Sequence, residues 1–248
     1  MKPKPRTFIV IGLAGSGKTT FCQRLYSWLN TDVVLKDGLN ANITSINLDP
    51  AVQNPKMPLT VDIRDFVDFR ETMEKYNLGP NGCTNTCLNI FLLNFKQPDL
   101  AKYTIIDTPG QIEAFTWSSP GEAIMELYRN TCIIYVVDLP LCKNKHVFIN
   151  NMLFAAALKC RFKRPVLVVF NKKDLEESFE VEKWIRDYSY FIESLSDEEN
   201  IIRGLALYFE EFYNNLEFTC LSALCGTGKE DFFSLVDKLF DDNEENKK

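Results

Sequence analysis

At 248 residues the chain fits one domain, or one domain with an insertion, and 46% hydrophobic residues suffice for a sizeable core. A formal net charge of −6 and a pI near 5.0 exclude a diffuse basic face for nucleic acid, so any anion site must be local. Eight cysteines with no C-x-x-C pair and a lone His146 argue against structural zinc and for reduced core thiols, as expected in an intracellular, cytoplasmic protein.

The first apolar run, Phe8 to Gly12, is too short for a signal peptide or a membrane span, so a soluble protein without membrane contact is expected. Further β-branched apolar runs follow at Ile43–Leu48, Tyr103–Ile106, Cys132–Val137, Val166–Phe170 and Phe218–Leu221. Unbroken apolar strands alternating with helical stretches predict an α/β fold with a mostly parallel, doubly wound sheet covered on both faces. Thr20–Leu29 reads as the helix after the first strand. Residues 50–100 begin with prolines, carry a helical pattern over Asp65–Tyr76, and are expected to form an insertion. Residues 175–215 are expected to hold two or three helices broken near Ser196. The end, 242–248, is charged and reads as a frayed or solvated tail, leaving 1–241 as a single domain.

Directly after the first run stands Gly12-Leu-Ala-Gly-Ser-Gly-Lys18-Thr19, a full G-x-x-x-x-G-K-[ST] between a strand and a helix. Its glycines let successive N–H groups of Gly15, Ser16, Gly17, Lys18, Thr19 and Thr20 face a β-phosphate, and the helix adds the positive end of its dipole. Lys18 is expected at the β/γ oxygens and Thr19 on Mg²⁺. The third run ends in Asp107-Thr-Pro-Gly110-Gln111, where Asp107 would hold the metal directly or through water and the Gly110 amide would sense a third phosphate. Gln111 stands where small GTPases keep a water-orienting glutamine. Asp49, closing the second run, is the leading candidate for polarising the attacking water, with Glu113 a further candidate.

The fifth run leads into Asn171-Lys172-Lys173-Asp174, an N-K-x-D. The Asp174 carboxylate can accept both guanine N1–H and the exocyclic amine, which adenine cannot satisfy, so GTP and GDP are the expected ligands. Lys172 would lie along the base plane, and Asn171 would tie this turn to the phosphate loop. Ser222-Ala223-Leu224 is a degenerate S-A-K turn whose backbone N–H groups would contact the guanine oxygen.

Within the insertion, Leu78-Gly79-Pro80-Asn81-Gly82 is by its own chemistry a turn. Together with Ile46-Asn-Leu-Asp49-Pro-Ala51, Asp62-Ile-Arg64-Asp65 and Asp107-Thr-Pro-Gly-Gln-Ile-Glu113, it closely resembles the GPN-loop GTPases over nearly the whole chain. Gly12–Phe21, Asp49–Val52 and Phe115–Trp117 resemble the first of the three eukaryotic paralogues. The resemblance implies a P-loop NTPase fold whose helical insertion carries the Gly-Pro-Asn loop. It further implies a homodimer, or a heterodimer with another paralogue, in which Gly79, Pro80 and Asn81 of one subunit reach the other's phosphate site. It also implies a role in assembly and nuclear import of RNA polymerase II, with polymerase subunits as partners and shuttling to the nucleus. The sequence departs from the family at Cys83-Thr-Asn-Thr86, where small apolar residues are usual. Two other readings remain open from the residues: a nucleotide-gated chaperone or scaffold with incidental hydrolysis, and a P-loop kinase of a small acceptor, against which the N-K-x-D argues.

Overall fold

The computed structural model describes residues 5–37, 42–98, 101–175, 179–196, 200–213 and 216–245, and divides into two compact units, Met1–Ile134 and Tyr135–Lys248.

The first unit begins with β1 (Arg6–Gly12), whose apolar core Phe8–Ile11 is buried, followed by α1 (Lys18–Asp37). Next come β2 (Ile43–Asn47) and a two-residue β3 (Val61–Asp62), which runs into a 3₁₀ turn over Ile63–Asp65. Two helices follow, α2 (Phe69–Tyr76) and α3 (Pro80–Asn94), then β4 (Tyr103–Asp107), α4 (Ile112–Thr116) and α5 (Ser119–Leu127). The strands lie in the order β3-β2-β4-β1, each pairing parallel, with Asn47 opposite both Asp62 and Asp107, and Asp107 opposite Val10. This register sets the carboxyl ends of the strands level, so the polar residues that terminate them share one edge, where ligands gather in open parallel sheets.

The Gly-Pro-Asn segment corrects the expectation of a free-standing turn, because it starts α3. Gly79 is the N-cap in extended conformation, and Pro80 occupies the first turn, where its missing N–H costs nothing and its fixed φ suits a helix. The bend before it is made by Asn77, left-handed at φ 49, with Leu78 N–H donating to Met73 O at 3.0 Å. The insertion is anchored from α3, where Phe91 meets Phe66 edge-on at 5.1 Å and stacks on Phe95 at 4.7 Å. A fully buried Phe of this kind contributes about 1.5–3 kcal/mol.

The next strand, β5 (Thr131–Asp138), carries the chain from the first unit into the second. There a 3₁₀ turn over Pro140–Lys143 precedes α6 (Lys145–Phe162), β6 (Val166–Asn171), α7 (Phe179–Arg186), α8 (Tyr188–Glu193), α9 (Asn200–Tyr213), β7 (Glu217–Cys220) and α10 (Lys229–Glu245). The strand order is β5-β6-β7, and β6 and β7 pair in parallel from Leu167↔Glu217 to Phe170↔Cys220. Phe148, Trp184 and Phe191 form an aromatic cluster, with ring centroids 5.2 to 5.7 Å apart. Three helices occupy the described part of 175–215. The segment read as a frayed tail is helical as far as Glu245, and 246–248 lie outside the described residues.

Candidate functional site

In the first unit the phosphate loop turns on Gly15 and Gly17, at φ 83 and 92, conformations that a residue with a Cβ rarely adopts. Ser16 and Lys18 are buried, while Thr19 and Thr20 are half-buried at the start of α1. Lys18 Nζ donates to Leu13 O at 3.1 Å, which folds its side chain back over the loop. Burial pulls the Lys18 ammonium below its ordinary value, and the charges of Asp107 and Asp49 oppose that shift, so both carboxylates act on this cation. Lys56, a residue without a sequence signal, donates to Thr20 Oγ1 at 2.9 Å.

Asp107 ends β4 and is 4% exposed. Burial raises its carboxyl to about 6, against the opposing effects of a Thr19 hydrogen bond and the Lys18 charge, with Asp49 adding to the rise. Its Oδ1 is buried and accepts no hydrogen bond among the described residues. A buried carboxylate oxygen in this condition is costly unless a cation meets it.

Asp49 stands just past β2. Its Oδ1 accepts from Ala51 N–H at 2.9 Å and its Oδ2 from Gly110 N–H at 3.2 Å, which joins two loops expected to act on the same phosphate. A Cβ built at Gly110 would lie 3.9 Å from both Asp49 Oδ2 and Ala14 Cβ, so this amide sits beside the phosphate loop. Gln111 is half-buried at the N-cap of α4, with its Oε1 3.4 Å from Thr84 Oγ1, and that hydroxyl also donates to Pro80 O at 3.0 Å. The glutamine thus touches the helix begun by Gly79, Pro80 and Asn81, all three of which are exposed. Glu113 is exposed in the first turn of α4.

In the second unit the turn expected to read the base is built by side chains of both its segments. Asn171, 3% exposed at the end of β6, accepts at Oδ1 from Ala223 N–H at 3.0 Å. That N–H, expected to face a guanine oxygen, is therefore engaged within the protein. Asp174 is exposed, and Ser222, fully buried, donates to its Oδ1 at 2.5 Å while accepting from Cys225 N–H at 3.0 Å. The carboxylate expected at the base edge is thus held by a residue that is itself fixed. Lys172, left-handed at φ 71, pairs with Asp138 at 2.5 Å, so a carboxylate with no sequence signal orients the lysine expected along the base plane. Gly228 is required where it stands, since at φ 85 a Cβ would lie 2.7 Å from Leu221 Cβ.

Asn47 and the Asp62–Arg64 pair also escaped assignment by sequence. They stand in two of the stretches that carry the family resemblance, but those stretches give them no role, which becomes visible only once β2 and β3 pair.

A lysine-bearing phosphate cradle with a buried acidic partner, and an ordered N-K-x-D turn, define a P-loop GTPase of the α/β class. Residues 10–242 match a family described as conserved hypothetical ATP binding protein. The chain is 36% identical to GPN-loop GTPase 1 of Schizosaccharomyces pombe and 40% identical to GPN-loop GTPase 1 of Dictyostelium discoideum. Each alignment covers 94% of this chain, and they cover 68% and 61% of those proteins, so the chain spans about two thirds of their length. A crystal structure of a GTPase in apo form from Pyrococcus abyssi shares the fold at TM-score 0.80 and 24% identity, over 95% of this chain and 97% of that one. The chain belongs to the GPN-loop GTPase family, whose members are named as GTPases.

Proposed function

We propose that this chain, with 1–241 working as one GTPase domain, binds GTP with Mg²⁺ and hydrolyses it to GDP and phosphate as a dimeric switch. The observation that carries the reading is Asp107: a buried carboxylate with an unpaired oxygen, hydrogen-bonded to Thr19 and facing the charge of Lys18. Thr19 and Asp107 fit a hard divalent cation, which prefers oxygen donors, and are the residues that would hold Mg²⁺. Bound there, the ion supplies charge neutralisation at the β- and γ-phosphates.

The chain's own groups do the rest. Amides of 15–20 wrap the phosphates, Lys18 offsets their charge, and Asp49, Gln111 and Glu113 place the water. Asp174, fixed by Ser222, supports selection of guanine because it accepts two hydrogen bonds that adenine cannot give. The exposed start of α3 supports the reading that Asn81 acts on the γ-phosphate of a second copy or of a paralogue. The wider role, in assembly and nuclear import of RNA polymerase II from a cytoplasmic base, rests on the family resemblance.

The test is Asp107→Asn. Turnover of GTP should fall at least about a hundredfold, and its dependence on magnesium concentration should shift upward, because the variant keeps the shape but loses the charge that holds the ion. An unchanged magnesium dependence would remove Asp107 from the metal site. A pull-down of polymerase subunits with the GTP-loaded but not the GDP-loaded protein tests the wider role.

A further inference from the structure

Asp49 stands where two sets of contacts meet. The first set begins with register: Asn47 ends β2, Asp62 ends β3, and the two are paired. Asn47, 2% exposed, donates from Nδ2 to Asp62 Oδ1 at 2.9 Å and to Asp49 O at 3.2 Å, while its Oδ1 accepts from Asp49 N–H at 3.1 Å. The Asp49 backbone is thereby held on both sides of its Cα. Arg64 closes the other end: Nε lies 3.1 and 3.0 Å from the two Asp62 oxygens and Nη2 lies 2.6 Å from Oδ2, while Nη1 donates to Val52 O and Gln53 O at 3.2 and 3.3 Å. Loop 49–53 is therefore clamped at its start by Asn47 and at its end by Arg64, and the two clamps share one carboxylate, Asp62.

The second set is the carboxylate of Asp49 itself, which accepts from Ala51 N–H and from Gly110 N–H. The Gly110 amide is the donor assigned to the γ-phosphate, and one N–H makes one strong hydrogen bond. A γ-phosphate oxygen and Asp49 Oδ2 therefore compete for it.

We propose that Asn47, Asp62 and Arg64 are positioning residues that set Asp49 as a latch on the Gly110 amide, and that the γ-phosphate of GTP, which GDP lacks, releases the latch. The backbone of 49–53 stays clamped, so only the side chain is freed, and Oδ2 becomes the acceptor for the attacking water's proton. This rests on the reading of Asp49 as a water-placing group and adds the event that makes it available. Before release both carboxylate oxygens are occupied by amides; afterwards one is open to a water.

The test measures affinity for GDP and for a non-hydrolysable GTP analogue. Asp49→Ala should favour the analogue over GDP by about ten- to a hundredfold relative to the parent, the worth of a charge-assisted hydrogen bond no longer broken on binding. Arg64→Ala should shift the preference the same way by a smaller factor and lower turnover. In an Asp49→Ala background it should shift the preference no further, because it acts through Asp49. Arg64→Lys, which keeps the charge but not the fork, should fall between, and it serves if the alanine variant fails to fold. An unchanged preference in Asp49→Ala overturns the latch, and an Arg64 effect of equal size with and without Asp49 overturns the positioning role. Turnover separates the two readings: a shifted preference with normal hydrolysis keeps the latch and removes the water-placing role, whereas lost hydrolysis with unchanged preference overturns the latch alone.

Discussion

Ser222→Ala separates guanine recognition from phosphate chemistry. The hydroxyl is fully buried, donates to Asp174 Oδ1 at 2.5 Å and accepts from Cys225 N–H at 3.0 Å. A hydrogen bond to a charged group is worth about 1.5–3 kcal/mol, but Asp174 is exposed and water replaces part of the loss, so about 1 kcal/mol remains. That weakens GTP and GDP by about fivefold, since the carboxylate must be ordered at the moment of binding. Titration of nucleotide-stripped protein with fluorescent guanosine and adenosine nucleotides reads this directly. The guanosine curve should move and the adenosine curve should not, because adenine has no donor for Asp174. Proportional weakening of both nucleotides would show that Ser222 supports the fold of the turn and not its selectivity, and would refute the argument.

Packing and titration give two further expectations. Gly121→Ala would put a Cβ 1.9 Å from Phe115 O, a backbone atom that cannot swing aside. The variant should lose about 3 kcal/mol or more in denaturant unfolding, the upper end of overpacking costs, and a loss below about 1 kcal/mol would show that α4 and α5 shift freely. At Asp62 burial works against ionisation, but hydrogen bonds from Arg64 and Asn47 outweigh it and hold the carboxyl below its ordinary 3.8. Its stabilisation is fully present above that pH and lost as pH falls through the lower folded value. Asp62→Asn should therefore be less stable at neutral pH and show a shallower acid loss below about pH 4; parallel curves for variant and parent would contradict this.

Much of the sheet was legible because its strands are buried on both faces, and such strands appear in sequence as unbroken apolar runs. All six runs became strands, at Arg6–Gly12, Ile43–Asn47, Tyr103–Asp107, Thr131–Asp138, Val166–Asn171 and Glu217–Cys220. The seventh strand, Val61–Asp62, was not legible, since two residues carry no periodicity and the pairing is with β2 at long range. The Gly-Pro-Asn segment misled because proline and glycine mark turns and helix starts alike, and only the burial of Cys83, Cys87, Leu88 and Phe91 on one side of α3 decides between them.

The site divided along the same line. Lys18, Thr19, Asp107 and Asp174 belong to motifs whose spacing is set by local backbone chemistry, and so they stand out as candidates from sequence. Asn47, Arg64, Thr84 and Asp138 work through partners distant in sequence or through side-chain direction, which local spacing does not encode. Arg64 reaches Val52 O and Gln53 O, and Asp138 meets Lys172 across 34 positions, contacts that exist only once the strands are paired.

Every role proposed above requires that this chain select GTP, with its phosphates on the loop around Lys18. Calorimetric titration of nucleotide-stripped protein with GTP and with ATP, each with and without magnesium, tests it most directly. GTP should bind at least about a hundredfold tighter than ATP, from two hydrogen bonds to Asp174 that adenine cannot make, and tighter still with the metal present. Equal affinity for the two nucleotides, or indifference to magnesium, would contradict it.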